Sequence, residues 1–324
     1  MESLKQFGVL PLFDPEEGTT VVEPPGEGTG YWVGGCSAIF DPSDGMFYLY
    51  YRTRKPISEG RGGFCSVAQS SDGVKFETVW SATKEQFDSE SIESASLLKS
   101  VEGKFRLYIS YVNQENRKWD IALLEGDSPS EFDPSNRRLV IGAGDVQDEG
   151  VKDPYVAIVG GTYYMFVHYA PMSRQPNNAS QRQLHGTGNI FATEYGIGSA
   201  GIATSVDGVE FQWQGEALPP GDSWDSKLTR VDTMAYVPPV YTVLYSGRSN
   251  IKETYEDRTG IAVSFDMKTF QKMTPDAPAL ASGHATGSLR YSDVVALDDE
   301  YVFYYEYARA DGSHEIRMSR VSRW

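Results

Sequence analysis

An aromatic β-hairpin that recurs along the chain constrains the fold more than any other feature. Each copy has a short strand, a turn with Gly or Asp, and a second strand rich in aromatic residues. The copies span residues 37–52, 94–111, 153–169, 232–248 and 292–307. Alternating apolar and polar positions around turn residues predict a β-hairpin in each case. Repetition of this kind is typical of architectures that are built from one repeated unit.

A second motif follows the hairpins and supplies further strands. It has small residues, a turn and an aromatic residue, and it occurs at 65–76, 201–213 and 260–270, with weaker copies at 120–132 and 315–321. An aromatic share of 13% and 32 glycines favour strands and tight turns over helices. The sequence therefore predicts an all-β fold, a five-bladed β-propeller. We expect one domain over 1–324, with blades roughly at 31–80, 90–142, 150–215, 228–274 and 286–324.

The fifth unit reaches the C-terminus without an outer strand. The apolar segment FGVLPLF at 7–13 is not used by any other unit. We therefore expect residues 7–13 to form the missing strand of the last blade and to close the ring. Closure of this kind removes the exposed strand edges of a linear array.

Charge and composition narrow the classes of partner. The formal net charge of −16 argues against nucleic acid or an anionic membrane as a partner. The apolar stretches are too short for a membrane helix, and the N-terminus lacks the pattern of a signal peptide. We expect a cytoplasmic protein, or a secreted one if a signal peptide has been removed. The pattern does not indicate an oligomeric state.

The two cysteines, Cys36 and Cys65, are predicted to be buried free thiols, because no Cys/His cluster has the spacing of a metal site. The sequence accordingly predicts no cofactor and no catalytic metal. A structural cation at the propeller axis stays open as an alternative.

The hairpin DPYVAIVGGTYYMFVHY, the S-x-D-G-x-x-F turns and the five repeats together resemble the five-bladed propeller glycoside hydrolases. These families are grouped around arabinanases, β-xylosidases, invertases and mannoside phosphorylases. The resemblance covers nearly the whole chain as architecture and selects no single family. It implies a carbohydrate substrate and a central funnel, lined by the innermost strand of each blade, with acidic residues at the start of those strands.

The resemblance implies catalytic roles for Glu93, Asp153 and Asp232, which open the second, third and fourth blades. Glycosidic cleavage needs one protonated and one ionised carboxyl group, and crowded carboxylates push their pKa values apart. We expect Asp232 or Glu93 to be the general acid, the other to be the base, and Asp153 to orient them. In the fifth blade Asp293 takes the equivalent position. The first blade departs from the pattern, with Gly35, Cys36 or Ser37 there.

Further residues are candidates for substrate binding, although each also has a purely structural interpretation, as an ion-pair partner, a packed ring or a turn residue. They are Arg52, Trp32, His168, Arg230, Arg290, Asp293 and His185. A tryptophan near the funnel could stack on the C–H face of a sugar. The pair Arg52 and Arg54 resembles basic residues that hold phosphate in the mannoside phosphorylases.

The third unit carries a long polar, Gly-rich insertion at about 172–199. Long loops in compact domains are often functional. We expect this one to border the funnel and to restrict it to short or terminal sugar units, with Arg174, His185 and Glu194 as its chemical candidates. The alternative is a loop that packs outward or contacts another subunit.

The sequence thus favours an exo-acting glycoside hydrolase. A glycoside phosphorylase or transglycosidase is the alternative among enzymes. A carbohydrate-binding propeller without activity and a scaffold for protein partners are the alternatives from other classes.

Overall fold

The computed structural model describes residues 8–60, 62–171, 191, 197–250 and 257–323. Strands dominate these residues, and the helical elements are five 3₁₀ turns and a four-residue α-helix, α1 (Ala143–Val146). The architecture is all-β and consists of antiparallel sheets, in which each strand pairs mainly with its neighbour in the chain.

Three four-stranded sheets occupy the middle of the chain. The first holds β6 (Ile92–Lys99), β7 (Phe105–Val112), β8 (Trp119–Gly126) and β9 (Arg138–Ile141). The second holds β10 (Val151–Val159), β11 (Thr162–Tyr169), β12 (Ser199–Ser205) and β13 (Gln212–Leu218). The third holds β14 (Leu228–Val237), β15 (Val240–Arg248), β16 (Arg258–Ser264) and β17 (Gln271–Lys272).

The two ends of the chain form a further sheet of eight strands. One half holds β2 (Trp32–Asp41), β3 (Met46–Arg54), β4 (Phe64–Ser70) and β5 (Glu77–Thr83). The other half holds β18 (Leu289–Ala296), β19 (Glu300–Ala308), β20 (His314–Ser322) and β1 (Thr19–Val22). A single parallel pair, Trp32 with His314, joins the two halves. The strand pairing therefore divides into five four-stranded units.

The core lies between the units and not within any one of them. The first strands β2, β6, β10, β14 and β18 contact one another in a closed cycle. Five clusters of buried apolar side chains lie around this cycle, and each combines residues of two neighbouring units. Because each sheet must cover both of its apolar faces, burial between neighbours holds the units together.

A ring of hydrogen bonds crosses from each unit to the next near the common centre. The hydroxyls of Ser37 and Ser96 accept from the amides of Leu97 and Val156, at 3.1 and 2.9 Å. The Tyr155 hydroxyl donates to Met234 O, the Thr233 hydroxyl donates to Asp293 Oδ1, and Asp293 Oδ2 accepts from the Ala38 amide. Each boundary between units thus has at least one hydrogen bond that involves a side chain, which fixes the offset between neighbouring first strands.

Residues 8–13 form no strand, and the prediction that 7–13 is the outer strand of the fifth unit is wrong for these residues; Phe7 lies outside the described part. The strand that pairs with β20 is β1, with Thr19 opposite Met318. Pro11 has no amide proton to give to a sheet. The Phe13 ring instead stacks on Tyr305 at 4.6 Å, so the segment packs as an apolar plug.

Candidate active site

The first strand of every unit is bulged at the same point, close to its start. A bulge adds a residue to one strand and re-aims its side chain. The register shifts lie between Gly34 and Ser37, Ile92 and Ala95, Lys152 and Tyr155, Val231 and Thr233, and Arg290 and Asp293. The residues at these shifts include Gly35, Glu93, Asp153, Asp232 and Tyr291. The predicted catalytic acids thus occupy equivalent positions in three neighbouring units.

Two of the bulge residues have strained backbones. Asp153 and Tyr291 have φ values of 51° and 50°, in the left-handed region that side chains with a Cβ rarely adopt. Strain of this kind persists only where the surrounding structure enforces it, and it concentrates at functional sites. In the first unit Gly35 has φ 60°, and a Cβ there would lie 3.2 Å from Arg52 Nε. A larger side chain at the bulge of this unit would crowd Arg52, so the glycine leaves room for that guanidinium group.

The sequence repeat placed Asp293 at the acid position of the fifth unit, but the register places Tyr291 there. Asp293 lies two residues further along β18, where it accepts from Ala38 N at 2.8 Å and from Val294 N at 2.8 Å. Burial raises the pKa of Asp293 to about 6, although these hydrogen bonds oppose the shift. Asp293 therefore belongs to the ring of hydrogen bonds between units.

Glu93 lies among three cations. Its carboxylate oxygens are 3.4 Å from Arg52 Nε, 3.9 Å from Arg54 Nη1 and 3.9 Å from Lys152 Nζ. Burial acts to raise the pKa of Glu93, but Lys152, Arg52 and Arg54 together lower it to about 2. Glu93 is therefore ionised at any working pH.

Asp153 Oδ2 lies 3.5 Å from Lys152 Nζ, the cation that also pairs with Glu93. The same oxygen lies 3.6 Å from Arg230 Nη1. Burial acts against ionisation, but Lys152, His168 and Arg230 hold the pKa of Asp153 well below its usual range. His168 Nδ1 is 3.7 Å from Asp153 Oδ2, which is longer than a hydrogen bond. Burial lowers the pKa of His168 to about 4, so this ring is neutral near pH 7.

Asp232 has the opposite protonation behaviour. Its carboxylate accepts from Arg230 Nε at 3.0 Å and from the Ser246 hydroxyl. Burial nevertheless raises the pKa of Asp232 to about 6, since the Arg230 charge and these hydrogen bonds only partly offset the loss of solvent. One cation, Arg230, therefore contacts an acid with a raised pKa and an acid with a lowered one.

Several charged residues of the site were missed by the sequence reasoning. Asp257 binds three guanidinium groups, Arg230, Arg248 and Arg290, at 3.4, 3.3 and 3.7 Å. Glu306 accepts from Arg290 at 2.6 Å and lies 2.7 Å from Nδ1 of a histidine on β20, His314. A charged residue in the apolar strand YVFYYEYA was a usable signal for Glu306, whereas Asp257 stands in no recognisable motif.

Trp32 and Arg290 belong to a layer beside the acids. Trp32 is only 4% exposed, and its ring stacks on His314 at 4.7 Å. The guanidinium groups of Arg54 and Arg290 lie 5.3 and 5.5 Å from the centre of the same ring. A sugar-stacking platform needs an open face, so the structure places Trp32 within the packing and not at a surface.

Of the predicted residues, the structure brings together Glu93, Asp153, Asp232, Arg52, His168, Arg230 and Arg290. His185, and with it Arg174 and Glu194 of the insertion, lie outside the described residues. Phe191 is described, and its ring lies 4.5 Å from His168 and 5.1 Å from Lys152 Nζ.

A small cavity lies at the centre of the site. Asp153, Arg230, Asp232 and Tyr291 line it together with Cys36, whose thiol donates to Tyr291 O. Its volume of about 10 Å³ is enough for one water molecule.

Cys36 and Cys65 are both buried free thiols, as predicted. Among the described residues, no group of three or more His, Cys, Asp or Glu side chains has a metal-binding arrangement.

Neither a protein-family model nor a curated protein matches this sequence. Solved structures do resemble it over nearly its whole length. A thermostable family-43 glycoside hydrolase aligns with a TM-score of 0.64 and 16% identity, over 94% of this chain and 92% of that chain. A glycosyl hydrolase from Bacteroides ovatus aligns with a TM-score of 0.63 and 15% identity, over 97% and 96%.

A β-1,2-mannobiose phosphorylase from Listeria innocua, in complex with β-1,2-mannobiose, aligns with a TM-score of 0.61 and 15% identity, over 96% of both chains. This chain shares the fold of these enzymes. The likeness to glycoside hydrolase and mannoside phosphorylase structures that the sequence suggested is confirmed at the level of the fold, and no single family is selected. In the parts of the chain that the structure describes, no helix is long and apolar enough to cross a membrane.

Proposed function

We propose that this chain is an enzyme that cleaves a glycosidic bond, built as a five-bladed β-propeller with its active site at the axis. The observation that carries the proposal is the difference between two buried acids that share one site. Asp232 has its pKa raised to about 6, and Glu93 has its pKa lowered to about 2. Glycosidic cleavage needs one protonated and one ionised carboxyl group at the same time.

We base the roles of the two acids on their different environments. Glu93 takes a proton from a water molecule, whose oxygen attacks the anomeric carbon. The bond from that carbon to the leaving oxygen breaks, and Asp232 gives its proton to the leaving oxygen. Asp153 is ionised and lies 3.6 Å from Arg230, which in turn donates to Asp232. Asp153 therefore positions Arg230, and the negative charge of Asp257 acts with burial to raise the pKa of Asp232.

The enclosed geometry supports action on short or terminal sugar units. The carboxylates are buried, and the cavity that Asp153 and Asp232 line has room for only about one water molecule. A sugar ring needs more room, so the site must widen when substrate binds. A long polysaccharide running through the site would need an open groove on both sides, which buried acids do not offer.

Phosphorolysis is the second candidate. Five guanidinium groups and Lys152 lie within 4 Å of the acids at the centre, and cations of this kind can hold phosphate. A similar fold belongs to a β-1,2-mannobiose phosphorylase. A carbohydrate-binding protein without activity is the third reading, and it predicts binding without product.

The test is product analysis on a panel of reducing-end-labelled oligosaccharides, with and without phosphate in the buffer. Hydrolysis gives free sugar in both buffers, whereas phosphorolysis gives sugar phosphate only in the buffer that contains phosphate. Asp232→Asn should abolish product, and Asp298→Asn, at an exposed position, should not. Binding of oligosaccharides without any product, or equal activity of both variants, would overturn the proposal.

A further inference from the structure

Two buried arginines at the centre have donors that nothing in the described part of the chain satisfies. Arg52 is 1% exposed and Arg230 is 3% exposed. Nε and Nη1 of Arg52 and Nη2 of Arg230 make no hydrogen bond with the described residues. Buried donors of this kind are nearly always paired, and leaving a charged one unpaired is costly. The site therefore has room for an acceptor that the described residues do not supply.

Both guanidinium groups lie near the same ring, that of Tyr291, which lines the central cavity. The guanidinium carbon of Arg230 lies 3.7 Å from the centre of the Tyr291 ring, and that of Arg52 lies 5.5 Å from it. Tyr291 reaches this place through its strained bulge, with φ 50°. Because Arg230 and Tyr291 also line the cavity, the free donor of Arg230 lies next to an empty space that Asp153 and Asp232 share.

An acid at the same place lacks donors. Neither carboxylate oxygen of Asp153 makes a hydrogen bond with the described residues, and Asp153 lines the same cavity. A ligand that satisfies the site must therefore accept from Arg52 and Arg230 and also donate to Asp153. A sugar with hydroxyl groups and an acidic group does both. A fully ionised inorganic anion accepts only.

The charge balance favours a negatively charged ligand. The ion pairs at the centre join six cations to five carboxylates: Arg52, Arg54, Lys152, Arg230, Arg248 and Arg290 with Glu93, Asp153, Asp232, Asp257 and Glu306. When Asp232 is protonated, as the proposed cleavage requires, the positive excess rises from one charge to two. This local excess contrasts with the net charge of −16 for the whole chain. An anionic ligand therefore compensates buried positive charge that these carboxylates leave over.

We propose that the sugar unit bound at the axis carries a carboxylate, held by Arg52 and Arg230, so that the substrate is a glycoside of a sugar acid. A guanidinium group binds a planar carboxylate with two parallel hydrogen bonds, which gives specificity against neutral sugars. Asp153 accepts from a ring hydroxyl of the same unit. This inference rests on the proposed cleavage of a glycosidic bond and adds its substrate class.

The test measures by calorimetry how tightly the protein binds methyl glycosides, which are compared in matched sets. Methyl glucuronides, galacturonides and mannuronides of both anomers are each compared with the neutral methyl glycoside and with the uronic acid methyl ester. At least one acid should bind ten times or more tightly than both matched neutral forms. Arg52→Met should remove that preference, Arg52→Lys should restore part of it, and Arg138→Met, at an exposed position, should keep it.

The outcomes separate this inference from the proposed function, because binding is measured without turnover. Cleavage of neutral glycosides together with no preference for any acid would overturn the inference and leave the function standing. Tight binding of an acid without product from its glycosides would support the inference and overturn the proposed cleavage. Binding of inorganic phosphate alone, with the same loss in Arg52→Met and no binding of acids, would overturn the carboxylate assignment. A variant that melts more than about 5 °C lower is replaced by Arg52→Gln in the same comparison.

Discussion

The guanidinium group of Arg230 lies over the ring of Tyr291, with 3.7 Å between the guanidinium carbon and the ring centre. The same guanidinium donates to Asp232 through Nε at 3.0 Å and approaches Asp153 through Nη1 at 3.6 Å. A ring from the fifth unit thus fixes a cation from the fourth unit between two acids. The protonation of Asp232 depends on this cation, because Arg230 is the strongest influence that opposes burial.

The pH dependence of the rate should report Asp232. If Asp232 donates its proton, the active form is the protonated one, and kcat/KM should fall tenfold per pH unit above about pH 6. Glu93, with its pKa near 2, stays ionised and therefore causes no change in kcat/KM between pH 4 and pH 9. Asp232→Asn should lower kcat at least about a hundredfold. A rate that stays flat from pH 5 to pH 8 would show that Asp232 is not the acid.

The repeat of hairpins could be predicted because it rests on local rules. Alternation along each strand and turn residues between strands are visible within about 16 residues, as in 37–52. The bulges are different, because one extra residue changes which side chain points inward without changing the composition. The sequence repeat therefore selected Asp293 in the fifth unit, where the register selects Tyr291.

Contacts between residues that are far apart in the chain could not be predicted from the sequence either. Glu306 and His314 lie on different strands of the fifth unit, and Asp257 draws arginines from three strands. Apolar residues 8–13 read as a strand, yet Leu10 and Phe13 are buried without sheet pairing. Hydrophobicity predicts burial in such a segment, but the partner decides whether a strand forms.

Glu306 should matter more for stability than a surface acid on the same strand. Glu306→Gln removes the ion pair with Arg290 and the contact with His314, both fully buried, which should cost about 3–5 kcal/mol. Glu300→Gln removes a partly exposed pair with Arg320 and should cost about 1 kcal/mol or less. The free energy of unfolding in urea gives the comparison. Equal losses in the two variants would show that the Glu306 pair does not stabilise the fold.

The same residue predicts how stability changes in acid. The buried cations lower the pKa of Glu306 from its usual 4.5, more strongly than burial raises it. Because the folded-state pKa is depressed, its contribution is fully present above about pH 4.5 and is lost as the pH falls below that value. Glu306→Gln should therefore lose less stability than the unmodified protein between pH 5 and pH 3. Parallel curves over that interval would contradict the assignment.

Phe13 should anchor the N-terminal segment although it belongs to no strand. Its ring packs on Tyr305 and lies 4.7 Å from Phe303, and it is 9% exposed. Phe13→Ala should cost about 3–5 kcal/mol. The adjacent Leu12 is 38% exposed, so Leu12→Ala should cost about 1 kcal/mol or less. Thermal melting of both variants measures the difference. A Phe13→Ala protein as stable as Leu12→Ala would show that Phe13 does not anchor the N-terminal segment.

The base role of Glu93 can be tested by chemical rescue. Glu93→Gln keeps the shape of the side chain but cannot accept a proton, so kcat should fall by a factor of about 10²–10⁴. Glu93→Ala opens space beside Arg52 and Lys152, whose charges would attract a small anion such as formate or azide. Added formate should therefore recover part of the activity in Glu93→Ala, and not in Glu93→Gln, where the amide still fills the space. Glu90→Gln is the matched control, because Glu90 lies in the same acidic run but pairs with Arg117 at the surface. If Glu93→Gln retains more than about a tenth of the activity, or if Glu90→Gln loses as much, then Glu93 serves only to neutralise Arg52 and Lys152.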